Sequence, residues 1–196
     1  GSLVIPANIT SIGRQAFQNC SSLTGDLTVP NTVTDLSTYY TFAGLSGMTG
    51  KLILESNITE LDVGAFNGSG FTRMEWKGAV TTVGNSAFAN CKFTGFALPT
   101  SLTTVGDFAF QNCENEAFGN LENLTSIGTY AFRNCTLGDI TISANATVGE
   151  RAFANTTVRS VSYNAPTLTQ NAFNGATVSE TFTLSDNVTY IGNGDI

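Results

Sequence analysis

The 196 residues carry 15 acidic and 8 basic side chains, no histidine and a formal charge of −7, with only 12% of positions charged. No basic patch is present to hold a nucleic acid, and without histidine the Ser-His and Cys-His modes of nucleophile activation are excluded. No run of 18 apolar residues occurs, so a membrane-spanning helix is not expected.

The first element is a short alternating strand, Leu3 and Ile5, ended by Pro6. A second apolar stretch runs from Ile9-Thr10 to Ile12-Gly13, followed by an Ala16-Phe17 anchor and a small-residue turn at Asn19. The same order recurs along the chain. Thr10, Thr34, Thr59, Thr81, Thr103, Thr125, Thr147, Thr167 and Thr189 mark it, and Phe17, Phe42, Phe66, Phe88, Phe110, Phe132, Phe153 and Phe173 are its anchors. A fixed period of about 22 residues is the signature of a solenoid, whose units bury their apolar faces only by stacking.

The strand pairs in order are Leu3/Ile5, Leu27/Val29, Leu52/Leu54, Met74/Trp76, Phe96/Leu98, a degenerate Phe118/Asn120, Ile140/Ile142, Val161/Tyr163 and Phe182/Leu184. Spacing of two puts both members of a pair on one face, so each coil is expected to contribute one parallel strand with that face inward. Residues such as Val80/Val83 and Leu102/Val105 of the second stretch then face the strand across a narrow core, and the Phe closes the third side. Each coil has roughly five inward apolar groups, worth about 1.5–3 kcal/mol apiece when buried.

Two residues after each anchor stands Asn19, Gly44, Gly68, Asn90, Asn112, Asn134, Asn155 or Gly175. Asn and Gly share tolerance of positive φ, which predicts a left-handed turn in preference to a buried amide ladder. Alanine precedes the anchor in every coil but one, Thr41 being the exception, which predicts close backbone packing there.

The repeat resembles the BspA-like leucine-rich repeat family of bacterial surface proteins. The likeness is carried by Leu3-Val4-Ile5-Pro6 through Ile12-Gly13-Arg14-Gln15-Ala16-Phe17-Gln18-Asn19-Cys20 and by Ile127-Gly128-Thr129-Tyr130-Ala131-Phe132-Arg133-Asn134-Cys135, and it extends over essentially the whole chain. Glu55, Lys77, Leu121, Ser143, Asn164 and Ser185 replace the strand-ending proline of Pro6, Pro30 and Pro99; those coils are expected to fold all the same. The expected fold is mainly β with short helical turns, a right-handed leucine-rich-repeat solenoid of about nine coils with one parallel sheet on its concave face. Residues 1–196 are read as one such domain, a fragment or mature part of a longer surface protein.

Cys20, Cys91, Cys113 and Cys135 all take the third place after an anchor, where Leu45, Ser69, Thr156 and Ala176 stand elsewhere. Parallel side chains in stacked coils disfavour the disulfide torsion, so four buried free thiols are expected, and no metal site, since no C-x-x-C spacing occurs. The sequons at Asn8, Asn19, Asn57, Asn67, Asn123, Asn134, Asn145, Asn155 and Asn187 are read as by-products of the repeat. The carboxylate pairs Glu55/Glu75 and Glu114/Glu116 are read as solvated charges, and no catalytic residue or cofactor is assigned.

What differs between copies is the better guide to binding. Outward positions of the third and fourth strands hold Lys51, Ile53, Glu55, Arg73, Glu75 and Lys77, beside the single tryptophan, Trp76, which is expected to point into the core. Tyr39 and Tyr40 in the second coil are the other candidates, because exposed tyrosines commonly anchor ligands. With the family resemblance, these residues imply a non-enzymatic, secreted or cell-surface module for adhesion or protein–protein recognition of a host or cell-surface protein. A carbohydrate-binding module and a structural spacer presenting a neighbouring domain stay open as alternatives.

Overall fold

The computed structural model describes residues 1–34, 36, 39–55, 57–113, 118–119 and 121–194. Glu114, Glu116 and Asn120 lie outside the described residues. The chain winds into a β-solenoid whose coils pair only in parallel. The nine units of sequence make about seven turns; Leu3–Ile5 of the first unit forms no regular strand.

The first side is the predicted strand row. Leu27–Val29, Lys51–Leu54 and Arg73–Trp76 pair in register, Leu27 with Leu52 and Met74, Val29 with Leu54 and Trp76. Ile140–Ile142, Thr157–Tyr163 and Thr177–Leu184 resume the row, stacking Ile140, Val161 and Phe182, then Ile142, Tyr163 and Leu184. The single expected sheet is therefore interrupted. In the gap Phe96 and Phe118 are buried and the Leu98 N–H donates to the Phe118 carbonyl at 3.2 Å, but no regular strand forms. Phe96 and Phe118 both turn toward the Phe110 ring there, at 6.2 and 5.1 Å.

The second side is a sheet in its own right, which the repeat pattern did not predict. Glu60–Leu61, Thr82–Val83, Thr104–Val105, Ser126–Ile127 and Thr147–Val148 form five parallel strands, with Leu, Val or Ile inward. The recurring threonine has its reason here. The Thr81 carbonyl accepts the Thr103 and Thr104 N–H groups, at 3.0 and 3.1 Å, and the Thr103 hydroxyl at 3.3 Å. The same triple acceptance recurs from Thr59 to Thr81 and from Thr103 to Thr125. Coils with and without the strand-ending proline make the same three-residue turn: Leu102 donates to Pro99 and Leu124 to Leu121, both at 3.0 Å.

The third side replaces the expected helical turns. No helix occurs among the described residues. In the fifth coil the N–H groups of Phe108, Phe110 and Asn112 donate to the next coil, at Thr129, Ala131 and Arg133, at 2.8–2.9 Å, while Ala109, Gln111 and Cys113 donate back within the turn. Sending every second N–H sideways is incompatible with a helix, which uses them all internally. The alternation needs two left-handed residues per turn. The second is the predicted Asn or Gly position, with φ between 55° and 72° in all eight coils. The first escaped the sequence reading: Gln15, Tyr40, Gly64, Ser86, Phe108, Tyr130, Arg151 and Asn171 lie at φ 55–64°. Their mixed side chains hide a conformation that costs a non-glycine residue about 1–2 kcal/mol, offset here by the coil-to-coil hydrogen bonds.

The anchor rings fill the interior as one stack, from Phe17 on Phe42 to Phe153 on Phe173, with centroids 4.8–5.5 Å apart and planes within 13°. Phe71, Phe93, Phe118, Tyr163 and Phe182 meet these rings edge-on. The alanines before the anchors from Ala65 to Ala172 are fully buried, as close packing requires. The asparagines of the left-handed turn also form an amide ladder. It is exposed, not buried: Asn112 donates to Asn90, and Asn134 to Asn112, both at 2.7 Å.

The cysteine position is more selective than its occupants suggested. Cys91, Cys113 and Cys135 donate their thiols to the anchor carbonyls of the preceding coil, Phe66, Phe88 and Phe110, at 2.9–3.1 Å, and the Ser69 hydroxyl does the same to Phe42. All four cysteines are free thiols. Burial pushes Cys113 up to about 12 and raises Cys91 and Cys135 well above the ordinary thiol value. Because the unfolded chain releases these protons near pH 8.5, this contribution to stability is whole below that pH and is lost as pH rises toward about 12. Cys20 departs from the expectation of shielding: it is only half-buried, in the first coil. Iodoacetamide at about pH 8 should therefore modify Cys20 in the folded protein and all four thiols after denaturation. Mass spectrometry reads the outcome, and native modification of Cys113 would contradict its packing.

Candidate functional site

The outward strip is built by the register of Lys51–Leu54 on Arg73–Trp76, which sets Lys51 beside Arg73 and Ile53 beside Glu75. Leu52, Leu54 and Met74 point inward and are buried, so alternation turns Lys51, Ile53, Arg73 and Glu75 out. Most of its charges pair with each other. Lys51 Nζ donates to Glu75 Oε2 at 3.0 Å, and Lys77 Nζ lies 3.9 Å from both Glu55 and Glu75. The Lys51 hydrogen bond, helped by the charges of Lys51 and Lys77, holds the Glu75 carboxyl below its ordinary value. Glu55 and Glu75 are thus not a bare carboxylate pair, and they sit diagonally across the two strands. Half-exposed pairs of this kind add little stability. Arg73 is exposed and has no carboxylate within 4.0 Å among the described residues, so its guanidinium is the free cation of the strip.

Trp76 turns into the core edge, as expected. Its ring meets Phe88 edge-on at 5.8 Å and lies 6.1 Å from Phe96, and its buried indole N–H has no partner among the described residues. Tyr39 and Tyr40 separate in role. Tyr39 is 47% exposed with the Arg14 guanidinium 5.3 Å over its ring, whereas Tyr40 is half-buried and leans over Gly64. Both stand on the anchor side of the coil, apart from the strip on the strand side.

A second group of surface side chains went unread in the sequence. Phe108, 36% exposed, stacks on Tyr130 at 5.3 Å, and Arg133 and Arg151 place their guanidiniums 5.1 and 5.9 Å over the Tyr130 ring. The signal that could have found it is the position before each anchor alanine, where Phe, Tyr and Arg follow one another one period apart. No group of three or more His, Cys, Asp or Glu side chains suited to a metal ion occurs among the described residues. No described helix is long and apolar enough to cross a membrane.

Stacked parallel coils with inward Leu, Ile, Val and Phe define a leucine-rich-repeat solenoid, whose variable residues face outward. A model of the BspA type leucine rich repeat region, in six copies, matches residues 1–117 and 116–195. The chain belongs to this family of BspA-type leucine-rich repeats. Among solved structures it is similar to a leucine-rich repeat protein from Bacteroides ovatus ATCC 8483, at 18% identity and a TM-score of 0.41 over 94% of this chain. The chain spans 66% of the length of that protein. No curated protein matches it.

Proposed function

We propose that this solenoid is a non-enzymatic recognition module of a longer secreted or cell-surface protein, binding a protein ligand on a host or neighbouring cell through the strip around Arg73. The observation that carries this reading is an exposed arginine with no carboxylate within 4.0 Å among the described residues, flanked by the charge pairs Lys51–Glu75 and Lys77–Glu55. A guanidinium has five donors in a planar fork suited to a carboxylate of a partner. Its neighbours are already held by cross-strand pairing, so little ordering is needed on binding. Membership in the BspA-type repeat family supports the recognition role and the surface location.

The test is Arg73→Glu, measured against a panel of immobilised extracellular-matrix and cell-surface proteins. Stability should change by about 0.5 kcal/mol or less, because the residue is exposed and unpaired. Association with a wild-type ligand should slow, and wild-type binding should weaken with added salt. Unchanged association of the variant would remove the strip from the binding surface.

A further inference from the structure

Five successive coils present Gly64, Ser86, Phe108, Tyr130 and Arg151 at the first left-handed position of the anchor turn. Three of these rungs are filled as a stack: Phe108 on Tyr130 at 5.3 Å and 14°, and Arg151 over Tyr130 at 5.9 Å, its Nη1 donating to the tyrosine Oη at 2.7 Å. At the other end the Tyr40 ring takes the space of a Gly64 side chain, since a Cβ there would overlap its Cδ1 and Cε1. Only the Ser86 rung between them holds no ring. Adjacent coils lie about 4.8 Å apart, so the Tyr40 ring and Phe108 stand roughly two rungs, ~10 Å, from each other. A ring at the Ser86 level would lie about 5 Å from each, within the ~4.5–7 Å at which ring faces stack.

The core does not demand these walls. Gln15 and Ser86 hold the same place in other coils, yet Phe108 keeps an aromatic ring 36% exposed at φ 58°. The floor at the Ser86 rung is polar, and the Asp107 carboxylate beside it is engaged, its Oδ1 accepting the Thr129 N–H at 2.8 Å. Asn85 Oδ1 accepts the Asp107 N–H at 2.9 Å, which leaves its Nδ2, like the Ser86 hydroxyl, with no protein partner among the described residues. Arg133 and Arg151 lie over the Tyr130 ring, two rungs from Ser86, with Arg151 engaged by Tyr130 and by Glu150 at 3.7 Å, so neither is directed at the gap to select an anion.

We propose that this notch is a binding site for one neutral pyranose ring of a glycan, held between Tyr40 and Phe108 over Ser86. The sugar's C–H faces meet the two aromatic walls, and its hydroxyls meet the Ser86 hydroxyl and the Asn85 amide. An aromatic side chain of a protein partner would stack equally well but would leave those polar groups without partners. The site lies on the anchor side and is independent of the Arg73 strip.

Affinity electrophoresis through gels containing a neutral glucan, mannan, galactan or chitin-derived polysaccharide, followed by calorimetry with an oligosaccharide of the one that retards the protein, tests the proposal. Ser86→Trp fills the empty rung, and the left-handed backbone there already tolerates Phe108 and Tyr130 in neighbouring coils. It should abolish retardation without lowering the melting temperature. Phe108→Ala removes one wall and should weaken binding about tenfold or more, the effect of losing one stacking face and its buried area. Arg73→Glu should leave glycan binding unchanged, which separates this site from the strip. Failure of all four polysaccharides to retard the wild-type protein overturns the proposal, as does retardation that survives both notch variants. Ser86→Trp-sensitive binding of a tryptophan- or tyrosine-containing peptide in place of glycan would assign the notch to a protein partner and equally overturn it.

Discussion

Replacing Phe110 with alanine is expected to cost about 3–5 kcal/mol, the range for deleting a buried aromatic ring from a core that cannot collapse around the gap. The Phe110 ring is fully buried and stacks on Phe88 and Phe132, each at 5.5 Å, while Phe118 meets it edge-on at 5.1 Å. Collapse is restrained on both sides. The neighbouring rings are fixed by their own coils, and the Phe110 backbone is pinned to Ala131 by a 2.8 Å hydrogen bond. In a solenoid such a loss lies at the interface between repeats, so it weakens the coupling of the two halves as well as one coil. Urea unfolding reads the change, together with a shallower transition if the halves part separately. A loss below about 1 kcal/mol would show that this ring is not a supporting core element.

The second large effect is expected at a glycine. Gly128→Ala should destabilise by about 1–3 kcal/mol, the usual cost of overpacking, while Gly95→Ala should be neutral or stabilise by about 0.4–1 kcal/mol through the unfolded chain. A Cβ on Gly128 would come within 2.5 Å of the Asp107 nitrogen and the Gly106 carbonyl carbon, both backbone atoms of the preceding coil that cannot swing aside. A Cβ on Gly95 would meet nothing within 4 Å. Thermal unfolding of the two variants side by side provides the comparison. Equal melting temperatures would mean that the coils at Gly128 have room to separate.

The parts of the fold legible in the sequence were those where a side chain's chemistry is the reason for its position. Phe at one place in eight coils announced a buried anchor, paired apolar residues two apart announced inward strands, and Asn or Gly after each anchor announced a left-handed turn. Each follows from a residue type that few other positions would select. The first left-handed position was not legible, because Gln, Tyr, Ser, Phe, Arg, Asn and Gly all occupy it. What unites them is a backbone conformation imposed by hydrogen bonds to the next coil. The short strands of the second side escaped for the same reason, being too brief for a pattern and stabilised by neighbours about 22 residues away in the chain.

The candidate site divides along the same line. The sequence placed Lys51, Arg73, Glu75 and Lys77 on the outward face, since period two decides inside from outside. It could not tell which charges neutralise each other, because the register of one coil on the next and the lengths of the side chains determine that Lys51 reaches Glu75 and that Arg73 is left free. Nor could it join Tyr40, Ser86 and Phe108 into one notch, since 68 residues separate the first from the last. By itself the sequence determined the repeat, the inward faces and the buried phenylalanine anchors, all properties local to one coil. Only the tertiary structure decided the distances between equivalent positions of successive coils, because those depend on backbone hydrogen bonds that no single coil contains.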